Sequence, residues 1–424
     1  MTTGRSEDRV QLTGRGAGPR RWPGPAGRKF LLVSGLTALY AVTASRALRP
    51  PNAYSIGHWL QSYEHGFIKR GLLGTALRPL LRSEGPEQIR ETVALVSFSV
   101  FALFSLAMLL AAAKTLRRDN RLVSLALAVV FLGSPFVVFS AHLNGYFDPL
   151  IAALAVVAVY LASRGRWLAA GLLSSLGILV HEMYAITGMP MVVFCAALRL
   201  GELDARARWR PLLELMFAPT LTLVAVLLSS LLQSDELLLA IREDMAARGV
   251  IDKYWVDMST YHLEHGFLDN LREQHRWAWV RLSKKSLNFV VYPPLIALLL
   301  GTSTRLKQLG RTRWIPLYIA FALSPWLMHW FAWDAERIAI LPIFTAFLGF
   351  FGICVLPGTT RGARPIPRST VATVLVVCTI AAFANAWTKV PLMDGQRDGE
   401  GPFSIGFEPE PEPLPATPQS RPRP

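Results

Sequence analysis

Long uncharged apolar runs, separated by short clusters of charge, are the feature that most constrains how this chain folds. A run of about 20 apolar residues matches the hydrocarbon thickness of a bilayer, so such runs predict transmembrane helices. Hydrophobic residues make up 52% of the sequence and charged residues 17%. We therefore predict an all-α fold, a polytopic transmembrane helix bundle with about eleven spans. The predicted spans are residues 29–45, 93–113, 122–140, 148–163, 167–181, 183–198, 212–232, 286–301, 314–332, 338–357 and 369–388.

The charges of the connecting segments predict the orientation of the bundle. With the N-terminus in the cytoplasm, the cytoplasmic segments together hold 24 Lys and Arg residues against five acids. Short basic loops of this kind stay on the cytoplasmic side, so we expect the C-terminus to lie outside the cell membrane. The orientation depends on a turn at His181 and Glu182. A single long helix over residues 167–198 would carry the later basic segments to the outside, against the same rule.

The same pattern divides the chain into a membrane domain and two tails. Residues 1–28 are rich in Arg, Gly and Pro, which predicts a disordered cytoplasmic basic tail. Residues 29–388 form the predicted transmembrane domain, and residues 389–424 a disordered Pro/Glu-rich outer tail. The long outer loop 46–92 is predicted to hold an interfacial helix, and loop 233–285 to form surface helices. The first span has a cleaved signal peptide as its rival, and the long preceding tail favours an uncleaved helix.

Several function classes are excluded by the sequence. The three cysteines lie inside apolar runs, which favours packing over a disulfide framework. The net charge of +15 sits largely in short loops that fix topology, and no nucleic-acid-binding motif is present, so we expect no nucleic-acid partner. The chain contains no Gly-x-Ser-x-Gly, P-loop or dinucleotide fingerprint, which argues against a serine nucleophile and against ATP or NAD.

Charged side chains at the predicted outer ends of spans are the candidates for chemistry. Outer loops must be polar, and Asp334 and Arg337 can simply pair across one helical face. Short connections nevertheless lie at membrane depth, where an unpaired charge costs roughly 2.5–3.5 kcal/mol, so charges persist there when they are paired or functional. Asp148 and Glu182, with Glu64 and Asp334 as further oxygen donors, are candidates to hold Mg²⁺ or Mn²⁺ together with a substrate phosphate.

Two segments and the layout of the chain resemble a known group of membrane enzymes. The segments are Gly66–Gly74 and Trp333–Arg337. The layout combines a cytoplasmic N-terminus, many spans, a long first outer loop with an acid, and further acids at outer span ends. In these respects the chain resembles the GT-C glycosyltransferases and bacterial surface-polysaccharide polymerases. Those enzymes take a sugar from a polyprenyl-phosphate donor at the outer membrane face. The family often has an Asp-centred acidic pair where this chain has Glu64 and His65.

The resemblance implies a membrane glycosyltransferase or glycan polymerase whose partners are the lipid bilayer and a polyprenyl-phosphate-linked sugar. A carboxylate, Glu64 by preference, would accept the proton of the attacking hydroxyl, while cations stabilise the leaving phosphate. The rivals are a transporter of an envelope precursor, which predicts ionisable residues near the bilayer midplane, and a non-catalytic envelope-assembly protein. The implied catalytic residues are Glu64, Asp148 and Glu182, the phosphate-binding residues are Lys69, Arg70 and Arg337, and the supporting residues are His65, His181 and Asp334.

Overall fold

The computed structural model describes residues 25–82, 84–116, 121–202, 204–231, 233–264, 267–282, 285–332, 335–357 and 367–386. Over these ranges the chain is an all-α helical bundle without β-strands, which confirms the predicted fold class. Short 3₁₀ helices cover Tyr63–His65, Ala205–Arg208, Thr312–Trp314 and Ser324–Trp330. The α-helices are α1 (Pro25–Ser45), α2 (Ala53–Leu60), α3 (Gly71–Leu81), α4 (Pro86–Thr115), α5 (Arg121–Leu132), α6 (Pro135–His142), α7 (Asp148–Ser163), α8 (Trp167–Val180), α9 (Tyr184–Thr187), α10 (Met189–Leu200), α11 (Trp209–Leu231), α12 (Asp235–Ala247), α13 (Lys253–Glu264), α14 (Phe267–Leu282), α15 (Lys285–Gln308), α16 (Ile315–Leu323), α17 (Ala335–Val355) and α18 (Arg368–Ala386).

Five helical stretches of the described chain are long and apolar enough to cross a membrane. In the fourth of them, on α17, residues 338–355 are all buried, so this helix forms the centre of the bundle. The stretches on α4, α11 and α18 instead expose many large apolar side chains, as helices in contact with lipid do. The five stretches are Pro86–Thr115, Leu122–His142, Arg206–Leu231, Arg337–Val355 and Arg368–Ala386. The structure therefore supports a membrane protein, and the larger number of spans stays a prediction.

Each predicted span coincides with helical structure, but some spans are interrupted. The span predicted at 122–140 consists of α5 and α6, because Gly133 ends the first helix and Pro135 opens the next one. Proline fits the first turn of a helix, where its missing N–H has no partner to lose. The predicted turn at His181 is present: α8 ends at Val180, and His181 has an extended backbone.

The two long loops fold into helices, of which α2, α3, α12 and α13 pack together at one end of the bundle while α14 packs on the 3₁₀ helix Ser324–Trp330. Loop 46–92 supplies α2 and α3, and loop 233–285 supplies α12, α13 and α14, as predicted for surface helices. Helix α13 packs on α2, where Gly57 faces Ser259 and the Gln61 amide donates a hydrogen bond to the Ser259 carbonyl (2.8 Å). These helices cover the end of the bundle where α8 ends and α7 begins, which we call the Glu182 end.

Two boundaries differ from the sequence-based expectation. Helix α1 begins at Pro25, so the last residues of the predicted tail 1–28 are helical. Proline at a first helical position favours this earlier start. The predicted interfacial helix of loop 46–92 begins only at Gly71, because the backbone of Arg70 is left-handed (φ 68°, ψ 3°) and cannot continue a helix. The rest of the N-terminal tail and the predicted tail 389–424 lie outside the described residues.

Candidate functional site

An ion pair between Arg70 and Glu182 joins the first long loop to the turn between α8 and α9. The Arg70 Nε donates to both carboxylate oxygens of Glu182 (3.1 and 3.0 Å), and its Nη2 contacts Oε1 as well. Arg70 is 13% exposed and Glu182 is 30% exposed, so the guanidinium is largely desolvated while part of the carboxylate remains accessible. Among described residues other than glycine, Arg70 is the one with a positive φ. Such strain persists only where surrounding contacts hold it, and the ion pair is one such contact.

The charge of Glu182 is stabilised by its surroundings. Burial opposes ionisation, but the Arg70 guanidinium and the neighbouring His181 outweigh it and hold the pKa of Glu182 well below its usual value. The His181 ring is buried, and its Nδ1 lies 3.3 Å from Glu182 Oε2. The Met183 backbone N–H donates to the same nitrogen (3.2 Å). Glu182 is therefore an anion at neutral pH whose main role in this geometry is to fix two neighbouring groups.

A second ion pair, between Asp148 and Arg337, lies beside the same turn. Asp148 begins α7, where the partial positive charge of a helix N-terminus favours a carboxylate. Arg337 Nη1 lies 3.5 Å from Asp148 Oδ2, and Arg337 Nη2 contacts the Met183 sulfur at 3.1 Å. Asp148 is buried, yet neither carboxylate oxygen accepts a hydrogen bond from the described residues. As far as the described ranges extend, both oxygens therefore lack the hydrogen bonds that a buried carboxylate usually accepts.

Lys69 adds a third cation to this cluster. Its side chain is half-buried, and its charge interacts with Glu182 and Arg70. Burial is the main cause that lowers the pKa of Lys69, with the Arg70 charge acting in the same direction and Glu182 opposing it. No carboxylate pairs directly with Lys69 in the part of the chain that the structure describes. The described side chains of the cluster thus carry three cationic groups against two carboxylates, which suits an anionic ligand.

Two histidines that the sequence analysis did not select complete the cluster. His58 on α2 and His262 on α13 face each other with ring centroids 5.4 Å apart. His58 Nδ1 and both ring nitrogens of His262 are buried without a hydrogen-bond partner among the described residues. Burial, followed by the charge of Arg70, lowers the pKa of both imidazoles well below the ordinary value. The residues are far apart in sequence and follow no periodic pattern, so only the packing of α2 on α13 reveals the pair.

A strip of aromatic rings leads from His58 toward the surface. The Tyr54 ring lies 4.7 Å from the His58 ring and 6.5 Å from the Trp255 ring. Tyr254 extends the strip at 5.0 Å from Trp255 and is exposed. Aromatic faces of this kind suit contact with a sugar ring, whose C–H bonds pack on the negatively polarised face.

Glu64 and His65, predicted as a catalytic and a supporting residue, occupy a different cluster. Glu64 is exposed and forms an ion pair with Arg78. His65 Nε2 lies 4.0 Å from Asp244, which also pairs with Arg248 (2.8 Å). Within the described chain, Glu64 therefore contacts a surface cluster of loop residues instead of Asp148 or Glu182. The position of Glu64 gives no geometric support to its predicted role as the base. The cations predicted to bind the phosphate lie around Glu182 and Asp148, and not beside Glu64.

Of the nine predicted site residues, six belong to the cluster at the Glu182 end and one is not described. Asp334 lies outside the described residues. The six are Lys69, Arg70, Asp148, His181, Glu182 and Arg337.

The side chains predicted to hold Mg²⁺ or Mn²⁺ do not form a fitting donor set. Asp148 and Glu182 each face a guanidinium, and the surplus of positive charge around them repels a dication. Over the described ranges, one group of three acid or histidine side chains has its ligand atoms within 4.8 Å of one another: Glu64, His65 and Asp244. Arginines already neutralise both of its carboxylates. Neither set of side chains therefore fits a divalent cation.

Comparison of this chain with protein-family models, with curated proteins and with solved structures finds no match.

Proposed function

We propose that this chain is a membrane glycosyltransferase or glycan polymerase that uses a polyprenyl-phosphate-linked sugar. The observation that supports the proposal most strongly is the cluster itself. Two carboxylates and three cations from four separate parts of the chain meet at one end of an apolar bundle, with a positive surplus. A phosphate headgroup whose lipid tail lies along apolar helices matches both the charge and the location. The orientation predicted from the basic loops would put this end outside the cell membrane.

In the proposed reaction Asp148 is the general base, in place of Glu64. An acceptor hydroxyl attacks the anomeric carbon, the new C–O bond forms as the bond to the phosphate oxygen breaks, and the hydroxyl proton passes to Asp148. Asp148 suits this role better than Glu182, because its oxygens accept no hydrogen bond from described residues while those of Glu182 are held by Arg70. The departing phosphate gains negative charge, which Lys69 and Arg70 stabilise. The aromatic strip then provides a surface for the acceptor sugar.

The proposal is tested by the lipid-linked sugars of the source cell. Cells that lack this chain should accumulate a polyprenyl-phosphate-linked sugar, measured by mass spectrometry of lipid extracts, and the wild-type chain should remove it. Asp148→Asn should leave the intermediate in place, because the amide cannot accept the proton. Asp235→Asn is the matched control, since Asp235 also sits in the first turn of a helix but outside the cluster, and it should act as wild type.

Three outcomes contradict the proposal or a part of it. If the amounts of lipid-linked sugars do not change when the chain is deleted, the proposed glycosyl transfer is refuted. Full activity of a correctly inserted Asp148→Asn variant, together with loss of activity in Glu64→Gln, would return the role of base to Glu64. Accumulation of the lipid-linked precursor on the cytoplasmic side of the membrane only, with loss of the glycan product, would favour the transporter instead.

A further inference from the structure

The His58–His262 pair contains polar atoms that the proposed reaction does not use. A neutral imidazole carries one N–H and one acceptor nitrogen. Since neither ring nitrogen of His262 has a partner among the described residues, its N–H is unsatisfied whichever tautomer is present. Buried donors without partners are rare in folded proteins, and each needs an explanation such as a ligand.

The charges around the pair indicate what kind of ligand would satisfy it. The groups acting on His262 are Arg70, His58, Lys69 and Glu182, with the positive charges in excess. The charged groups that act electrostatically on His58 are Arg70, His181, Arg337 and Glu182. The His58 ring also contacts the Tyr54 ring. A metal dication is disfavoured in such surroundings, whereas an oxyanion is attracted to them and accepts hydrogen bonds from N–H donors.

Lys69 supplies the matching charge. It is half-buried, it acts electrostatically on His262, and it has no direct carboxylate partner in the described ranges. Arg70 and Arg337 differ from it, because each already faces a carboxylate. The groups with unused binding capacity are therefore an ammonium and an imidazole pair on the two long loops.

We infer that Lys69, His58 and His262 form a phosphate-binding site between the two long loops, beside the Arg70–Glu182 ion pair. The inference rests on the proposed function in taking the phosphate to be that of the lipid-linked donor. A bound phosphate places negative charge against the imidazoles, so it favours their protonated form, in which both ring nitrogens donate. Binding is therefore accompanied by proton uptake and strengthens as the pH falls.

The test is direct binding to the full-length chain purified in detergent, with the histidine rings labelled with ¹⁵N. The probes are inorganic phosphate, decaprenyl phosphate and, as the uncharged control, decaprenol. Phosphate should shift the ring-nitrogen resonances of His58 and His262 toward the protonated form, and the affinity should be higher at about pH 6 than at about pH 8, on either side of the ordinary histidine pKa of about 6.5. Binding of both phosphates assigns the site to the phosphate group itself, and binding of decaprenyl phosphate alone assigns it to a lipid headgroup.

Variants separate the site from its surroundings. His262→Phe keeps the ring shape but removes the donors, and Lys69→Met removes the charge, so each should weaken phosphate binding about tenfold or more. His262→Gln keeps an N–H donor and should retain part of the affinity. His275→Gln is the matched control, because His275 is an exposed histidine on α14 of the same loop, and it should bind as wild type.

Three results would overturn the inference. These are decaprenol binding as tightly as decaprenyl phosphate, unchanged histidine resonances when phosphate binds, and wild-type phosphate affinity in both His262→Phe and Lys69→Met. The two proposals fail separately. If phosphate binds but no lipid-linked sugar is turned over, only the proposed function is refuted. If turnover is normal but phosphate binding does not depend on the histidines, only the phosphate-binding site is refuted.

Discussion

The Arg70–Glu182 ion pair should contribute measurably to the stability of the Glu182 end. We predict that Glu182→Gln and Arg70→Gln each lower the free energy of unfolding, and that the double variant is more stable than the sum of the two losses predicts. Each single variant leaves a largely desolvated polar group without its partner, whereas the double variant removes both charges. Glutamine at position 70 keeps a side chain in the left-handed backbone conformation, so the backbone strain is the same throughout the cycle.

The magnitude follows from the exposure of the two side chains. Breaking a fully buried ion pair costs about 3–5 kcal/mol, and an exposed pair contributes about 0.2–1 kcal/mol. With Arg70 13% and Glu182 30% exposed, the pair lies between these limits. We expect a coupling energy of about 1–3 kcal/mol, which corresponds to about 5–150-fold in the folded-to-unfolded ratio.

The assay is a double-mutant cycle in mixed micelles, in which a rising fraction of denaturing detergent unfolds the protein and tryptophan fluorescence reports the transition. The Arg210–Glu214 pair (2.8 Å) is the control, because it has the same residue types on one helix and Arg210 is 89% exposed. Its coupling should be about 0.3–0.5 kcal/mol. A coupling between Arg70 and Glu182 no larger than that of the control would refute the claim that desolvation strengthens this contact.

Two further predictions concern packing and pH. Gly74→Ala should lower the unfolding midpoint strongly, because the added Cβ would lie 1.8 Å from the backbone oxygen of Gln61. Gly35→Ala is the control: its Cβ meets nothing within 4 Å, so the midpoint should stay unchanged or rise. Equal midpoints for the two variants would show that α3 can shift to make room. Acidification below about pH 6.5 should destabilise the fold by up to about 1.4 kcal/mol per pH unit for each of His58 and His262. The reason is that the imidazoles of the unfolded chain take up protons in this range. In the folded chain burial lowers the pKa of both imidazoles, so they stay neutral. The stability is then complete above about pH 6.5 and is lost as the pH falls toward the lower folded-state pKa, so a double Phe variant should show a flatter dependence of midpoint on pH.

The helices were predictable because hydrophobic runs and their charged ends are local properties of the sequence. The start of α7 at Asp148 and the end of α8 near His181 follow from a single charged residue beside an apolar run. The division of the span at 122–140 into two helices was missed, although Gly133 and Pro135 carry the signal. Hydropathy averages over such a break, because both halves remain apolar.

The site was predictable only in part, for a physical reason. Asp148, Glu182 and Arg337 stand at helix ends, so the topology alone suggests that they share one side of the membrane. Arg70 pairs with Glu182 and not with the nearby Glu64. This choice of partner depends on the left-handed backbone at Arg70 and on how α3 packs on the bundle. His58 meets His262 only because α2 packs on α13, a contact between segments about two hundred residues apart. Periodicity within one segment carries no information about such long-range packing.

The cluster at the Glu182 end is more easily explained by function than by stability. A buried ion pair is weak support for a fold, since apolar side chains of similar volume often stabilise it as well or better. Here the ion pairs come together with a left-handed backbone at Arg70, unsatisfied oxygens on Asp148 and unsatisfied nitrogens on His262. Each of these features is unfavourable by itself, and strain and unsatisfied polar atoms tend to concentrate where a protein binds or transforms a ligand. The Arg210–Glu214 pair on a single exposed helix carries no such companions. A ligand that supplies phosphate oxygens to His262 and a hydroxyl proton to Asp148 would satisfy both sets of atoms at once.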